Sequence, residues 1–149
     1  MSEHGVLLVS VGVHTTPEAF LDALGHFHLN PAAGIILRSA ASGYLSRSPF
    51  QVEVATQTVH ELTGDNAPPC SKVLEALELV NGLVPLEFVL ALRERMGQNS
   101  EEFMYAGSRL EGYAPVLFRI CNGRSELVLH TIDSPGYKIQ GDHIVILGQ

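Results

Sequence analysis

The stretch LLVSVGVHTTPEAF, residues 7–20, decides how this chain begins to fold. The apolar run 5–13 is bounded by turn signals, which predicts a strand buried on both faces, as in a parallel sheet. A helix start follows at once, because Thr15-Thr16-Pro17-Glu18 combines a capping hydroxyl, an early proline and a glutamate in the first turn. Gly25 is the expected stop of that helix.

The segment after this helix predicts a second strand and then a second helix. AAGIILRS, residues 32–39, is a short apolar run, so that residues 5–39 would form a βαβ unit with a right-handed crossover. Residues 39–48 are small, polar and glycine-containing, which predicts a surface loop. A helix is expected from Ser48 to Gly64, because the apolar positions 52, 55, 59 and 62 recur at helical spacing.

The remaining chain predicts two helices, 71–80 and 85–96, and then mostly strands. Runs 115–121 and 124–132 flank Asn122-Gly123, a pair that favours a two-residue type I′ hairpin turn, and HIVILG (143–148) is the last expected strand. The predicted fold class is α/β (α+β by segregation), with a βαβ-opened small sheet, central helices and a C-terminal β-hairpin lobe. We expect a single domain, 1–149, with an α/β part (1–100) and a β-rich part (101–149).

The charge of the chain narrows the classes of partner. The net charge is −7 and only two lysines occur, which disfavours binding to a nucleic-acid duplex. A small anionic ligand is still compatible, because helix ends and single arginines can hold one. The charged fraction of 17% lies below the roughly 25% of an average protein, which predicts a surface partly covered in a homo-oligomer or larger assembly.

The cysteines and the chain start predict a cytoplasmic protein. Cys70 and Cys121 are far apart and in no CxxC spacing, and the start has no secretory signal, so we expect reduced, buried thiols. No apolar run reaches the roughly 18 residues of a membrane-spanning helix, so no membrane insertion is expected. His26 and His28 lack a third ligand in register, and we predict no metal site and no cofactor.

The turn after the first strand is the strongest candidate site. The amides of residues 16–18 and the hydroxyls of two threonines would hold a phosphate or carboxylate at a helix N-terminus. The alternative is that one of these threonines serves only as the helix cap. The loop 39–48 would end at the same edge of the sheet and add donors. His14 is the one candidate for acid–base catalysis. The candidate ligand-binding residues are Ser10, Gly12, His14, Thr15, Thr16, Ser39, Ser42 and Arg47.

The C-terminal third, APVLFRICNGRSELVLHTIDSPGYKIQGDHIVILG, resembles the C-terminal TrkA-type lobe of potassium-conductance regulators. The matching positions are Ser134-Pro135, Gly141-Asp142 and Gly148, which are mostly turn residues. The resemblance implies a dimerising, ligand-sensing module that controls ion transport. The first half departs from that pattern, since no GxGxxG fingerprint follows Gly12.

The first half, VSVGVHTTPEAF followed by GIILRS, is similar to the opening of the Rossmann-like CARF domains that sense cyclic oligoadenylates. That similarity implies a phosphate site lined by Ser10, Thr15, Thr16 and Ser39. The later Gly-Gly-Thr-Lys-like loop of such domains is missing here.

These patterns together predict a non-catalytic regulatory or sensor module. We expect it to be homo-oligomeric and to bind a small anionic or nucleotide-like ligand at the turn between the first strand and the first helix. Two alternatives stay open. One is a phosphate- or nucleotide-processing enzyme of the CARF ring-nuclease type, and the other is a structural assembly subunit.

Overall fold

A computed structural model describes residues 5–12, 16–25, 27–40, 50–95, 103–109, 114–122, 127–132 and 136–148. The strands in chain order are β1 (Gly5–Val11), β2 (His28–Leu29), β3 (Phe50–Thr58), β4 (Met104–Ser108), β5 (Val116–Asn122), β6 (Leu127–Thr131) and β7 (Ile144–Leu147). The helices are α1 (Pro17–Leu24), α2 (Pro31–Ala40), α3 (Val59–Thr63), α4 (Cys70–Leu79) and α5 (Leu86–Arg95).

All seven described strands join one mixed sheet in the order β1-β3-β7-β4-β5-β6-β2. Neighbouring strands are antiparallel except for the pairs β7–β4 and β6–β2, which are parallel. The helices and this sheet confirm the α/β fold class. The β-rich C-terminal part supplies the four consecutive strands β7, β4, β5 and β6, whereas the N-terminal part supplies both edges.

The structure confirms several predicted elements. The helices α1, α4 and α5 and the strands β1 and β7 lie where the sequence placed them, and β5 pairs with β6 as an antiparallel hairpin. The register of that hairpin differs from the prediction, because Asn122 pairs with Leu127. The predicted two-residue turn at Asn122-Gly123 does not fit this register, and residues 123–126 lie outside the described residues.

The predicted βαβ unit is wrong, because residues 32–39 belong to helix α2. The Asn30 side chain accepts a hydrogen bond from the Ala33 amide at 3.1 Å, and Pro31 opens the helix, so a capping residue and a proline precede the apolar run. Ala33 and Leu37 are buried four positions apart, as a helix face requires. A short apolar run of this length does not distinguish strand from helix by itself.

The predicted helix from Ser48 to Gly64 is also wrong, because residues 50–58 form β3 and α3 covers only Val59–Thr63. Along β3, β-branched side chains stand at every second position, 52, 54, 56 and 58, which is the period of a strand. The helix start lies at Thr58, whose hydroxyl accepts from the Glu61 amide at 3.1 Å while the Glu61 carboxylate accepts from the Thr58 amide at 3.0 Å. Gly64, at φ 76°, ends the helix as predicted.

Strand β1 is an edge strand with one buried face, in contrast to the predicted burial of both faces. Val9 and Val11 are buried, whereas Leu8 is 49% exposed and Ser10 is exposed. The reason is topological, because β1 has a strand partner only in β3 and no described helix covers its outer face.

Two hydrophobic cores lie on opposite faces of the sheet. One joins α1, α2 and α5 to side chains such as Val9, Ala106 and Phe118. The other joins α3 and α4 to Tyr105, Leu117 and Val145. Because successive strand residues point to opposite faces, the odd-numbered residues of β4, β5 and β7 face α3 and α4. Within the described ranges, no helix has the length and apolarity needed to span a bilayer.

The buried face of α5 gives a direct test of this packing. Leu90 is 1% exposed, so Leu90→Ala removes buried methyl groups and leaves a cavity, and we expect it to lower the free energy of unfolding by about 2–5 kcal/mol. Ile35→Ala, at a 64% exposed position of α2, is the matched control, with a change of roughly 0.5 kcal/mol or less. Urea denaturation measures both variants, and equal losses would contradict the packing.

Candidate functional site

The structure describes four of the sequence-predicted site residues. Ser10 lies exposed on β1, and Gly12 is buried with φ at 78°, a backbone conformation that favours glycine. Thr16 is the N-cap of α1, and its hydroxyl accepts a hydrogen bond from the Ala19 amide at 3.2 Å. Ser39 lies within α2, where its hydroxyl donates to the Ile35 carbonyl at 2.9 Å. His14, Thr15, Ser42 and Arg47 lie outside the described residues.

The sequence analysis expected two parallel strands to end at one edge of the sheet and to bring these residues together. The structure has no such pair of strands at β1. The neighbour of β1 is the antiparallel β3, and Ser39 follows no strand. Helix α2 packs on β6 and β2, at the opposite end of the strand order from β1. The strand topology therefore does not bring Ser39 beside Thr16, and each of the two residues has a local hydrogen bond that accounts for its hydroxyl.

A different group of side chains meets on the face of the sheet that α3 and α4 cover. We call it the Tyr105 cluster, and it consists of Phe103, Tyr105, Arg119, Tyr137 and His143. Tyr105 lies opposite Arg119 in the β4–β5 register. The Tyr105 hydroxyl lies 3.1 Å from His143 Nδ1, and the His143 ring stacks on Phe103 with centroids 4.7 Å apart. The cluster thus combines a phenol, an imidazole and a guanidinium in one row.

Burial sets the protonation of the Tyr105–His143 pair. Tyr105 is 2% exposed, and burial, with a smaller contribution from Tyr137, raises its pKa to about 12, although Arg119 acts in the opposite direction. Burial lowers the pKa of His143, and the Asp142 carboxylate opposes that shift. At neutral pH the phenol therefore keeps its proton and the imidazole is neutral, and the imidazole tautomer sets which of the two groups donates the hydrogen bond between them.

Arg119 is a half-buried cation without a carboxylate partner in the described part of the chain. Its Nη1 donates a long hydrogen bond of 3.4 Å to the Tyr137 hydroxyl, and its buried Nε has no acceptor among the described residues. Other basic side chains are paired at short distance, as in Lys72–Asp65 at 3.0 Å and Arg109–Glu78 at 2.7 Å. Partial burial of a charge costs solvation free energy, and a bound anion would recover part of that cost.

Two cysteines border the cluster, since both contribute to the electrostatics of Tyr105. Cys70 and Cys121 are free and buried, which confirms the predicted buried thiols. Burial raises the pKa of Cys70 to about 11 and also raises that of Cys121. Both side chains are therefore protonated thiols at neutral pH and poor nucleophiles.

An open cavity of about 510 Å³ lies beside the cluster at the start of β7. Its lining residues are Thr58, His60, Asn66, Gln140, Gly141 and Asp142. Backbone hydrogen bonds fix its walls, because the Gly141 amide donates to the Asn66 carbonyl at 2.7 Å and the Gly141 carbonyl accepts from the His60 amide at 2.8 Å. A Cβ at Gly141 would lie 2.8 Å from the Asn66 oxygen, so the close approach requires glycine.

Sequence reasoning missed the Tyr105 cluster. The spacing of Phe103 and Tyr105, two residues apart, indicates that both side chains lie on one face of a strand. The pairing that sets Tyr105 opposite Arg119 depends on the strand register, which the sequence does not give. Gly141-Asp142 was identified only as a turn. In the ranges that the structure covers, no three His, Cys, Asp or Glu side chains are grouped to hold a metal ion.

Comparison with protein-family models, curated proteins and solved structures gave no match. The resemblances to TrkA-type lobes and CARF domains therefore stay predictions. Function has to be argued from the geometry of this chain.

The depressed pKa of His143 predicts how stability depends on pH. The unfolded chain binds a proton at His143 near pH 6.5, above the pKa of the folded state, so the stability is fully present above that pH. It falls as the pH drops from about 6.5 towards the folded-state pKa. We expect His143→Asn to reduce this loss when the free energies of unfolding at about pH 7.5 and about pH 5.5 are compared by urea denaturation. An equal loss in the variant and the wild type would contradict the burial of a neutral imidazole.

Proposed function

We propose that the chain is a small-ligand-binding regulatory or sensor module, and that Arg119 and Tyr137 contact an anionic, phosphate- or carboxylate-bearing ligand. The observation that carries the proposal is the half-buried Arg119 guanidinium, which faces no carboxylate among the described residues.

The surroundings of Arg119 favour an anion of small size. Tyr137 is 44% exposed, and its hydroxyl fixes one nitrogen of the guanidinium while offering a donor of its own. A guanidinium forms paired, charge-assisted hydrogen bonds with carboxylate or phosphate, each with a net value of about 1.5–3 kcal/mol. The net charge of −7 repels a long polyanion, so a nucleotide-like molecule fits better than a nucleic acid.

The N-terminus of α1 remains a second position for the anion. Thr16 is exposed, and its hydroxyl already accepts one backbone hydrogen bond, which is what a helix cap alone requires. No further observation at this turn points to a ligand. We therefore place the anion at Arg119 and use Thr16 to distinguish the two positions.

We infer that the module is not catalytic, although the nucleotide-processing alternative keeps His14 as its candidate. In the Tyr105 cluster, the phenol and the imidazole bond to each other, and burial moves their pKa values away from neutrality in opposite directions. Because a general acid or base works best with a pKa near the working pH, these shifts disfavour the pair for that role at neutral pH. The free, buried thiols support our inference that the module works in the cytoplasm.

Thermal unfolding with inorganic phosphate, mononucleotides and cyclic oligoadenylates tests the proposal. A ligand that binds only the folded state raises the melting temperature, by about 2–4 °C per kcal/mol for a chain of this size. We expect Arg119→Gln to weaken binding roughly 10- to 100-fold, because it removes the charge-assisted bonds. Isothermal titration gives the dissociation constants.

Arg109→Gln is the matched control, since Arg109 is an exposed arginine that is already paired with Glu78. It should leave the dissociation constant unchanged, as should Thr16→Ala. Loss of binding in Thr16→Ala but not in Arg119→Gln would move the site to the α1 turn. Absence of stabilisation by every anion would overturn the proposal.

We infer further that the module self-associates. Two observations support this inference. The charged fraction of the chain is low, and two apolar side chains, Leu79 and Val80, are exposed at the end of α4. Light scattering coupled to size exclusion should give a mass of at least twice 16.1 kDa. Leu79→Lys should shift that mass towards the monomer, whereas a wild-type protein that is monomeric at all concentrations would contradict the inference.

A further inference from the structure

We infer that the open cavity at the start of β7 binds the hydroxyl-rich part of a small uncharged molecule, such as a monosaccharide or another polyol. The cavity has a volume of about 510 Å³, within the range of roughly 300–1,000 Å³ that small-molecule sites occupy. This site is separate from the Arg119 anion site, and the inference does not depend on the proposed function.

The cavity presents side chains whose hydrogen-bonding capacity is unused. Asn66, Gln140 and Asp142 are exposed and line it, and within the described ranges none of the three forms a side-chain hydrogen bond. Two amides and a carboxylate together offer N–H donors and several acceptor oxygens. A hydroxyl group both donates and accepts, so vicinal hydroxyls on a sugar ring match such a mixed set.

The walls that carry these side chains are held in place by the backbone. Residues 66–70 run beside 137–141, with the Ile139 amide bonded to Pro68 and the Cys70 amide bonded to Tyr137 at 2.9 and 2.7 Å. On the other side, Thr58 is fixed by the capping box at the start of α3. A site that is formed before the ligand arrives avoids much of the entropy cost of ordering its walls.

The lining also argues against other ligand classes. Among the described lining residues, which include His60, there is no lysine, no arginine and no large hydrocarbon side chain, so the cavity offers neither a permanent cation for a phosphate nor an extended hydrocarbon surface for an apolar molecule. The Asp142 carboxylate further disfavours anions. An uncharged molecule that is rich in hydroxyl groups would form hydrogen bonds with the amide and carboxylate side chains of the lining.

Nuclear magnetic resonance titration with D-glucose, D-ribose and glycerol tests the inference on the full chain. We expect at least one of these probes to shift the side-chain amide signals of Asn66 and Gln140 in a saturable manner. Asp142→Asn removes a charged acceptor and should raise the dissociation constant at least about tenfold. Asp22→Asn, an exposed residue on α1, is the matched control and should bind as the wild type does.

Three results would overturn the inference. They are the absence of a saturable shift with all three probes, equal binding by the Asp142→Asn variant and the wild type, and saturable shifts of the same two amides by inorganic phosphate. Because Asp142 and Gln140 are exposed, Gln140→Ala is a second variant that keeps the fold, and it too should weaken binding. A phosphate effect confined to residues near Arg119 would leave the two sites distinct.

Discussion

The pairing of β7 with both β3 and β4 is the constraint on which the rest of the structure depends. β7 contributes only four residues, yet Ala55 pairs with Leu147 on one side and Tyr105 pairs with Val145 on the other. In the described sheet it is the one strand that joins β1 and β3 to the strands β4, β5, β6 and β2. Its central residues Val145 and Ile146 are fully buried, one in each of the two cores. β7 therefore links the two parts of an open sheet in which β1 is an edge strand.

The same strand positions the cavity and one member of the Tyr105 cluster, His143. Residues 140–143 lead into β7, so the cavity wall and the His143 imidazole are fixed by how that strand pairs. One face of the sheet carries the polar Tyr105 cluster beside α3 and α4, while the opposite face is filled by α1, α2 and α5. This segregation leaves Arg119 half-buried with the Tyr137 hydroxyl and no carboxylate from the described chain, which is the physical basis of the anion binding that we propose.

The sequence was sufficient for elements whose signals are local and insufficient for those that depend on long-range pairing. The caps and periodicity of α1, α4 and α5 predicted them correctly, because a helix satisfies its own backbone hydrogen bonds. Residues 32–39 were predicted as a strand but form a helix, and residues 50–58 were predicted as a helix but form a strand. Short apolar runs fit both periods, and only the capping residues Asn30 and Thr58 mark where the helices begin. The expected closeness of Thr16 and Ser39 depended on residues 32–39 being a strand parallel to β1. The Tyr105 cluster could not be found, because it joins β4, β5 and the segment that leads into β7, and the chain does not reveal the order of these strands in the sheet.

Hydrogen exchange in the native state tests the role of β7 most directly. If β7 closes the sheet, the amides of Val145 and Ile146 exchange only when the whole protein unfolds, with opening free energies that equal the global value from urea denaturation. Amides of the edge strand β1 should open at lower free energy. Exchange of Val145 and Ile146 through a low-energy local opening, while β4 and β5 stay protected, would show that the sheet holds without its last strand and would contradict the account.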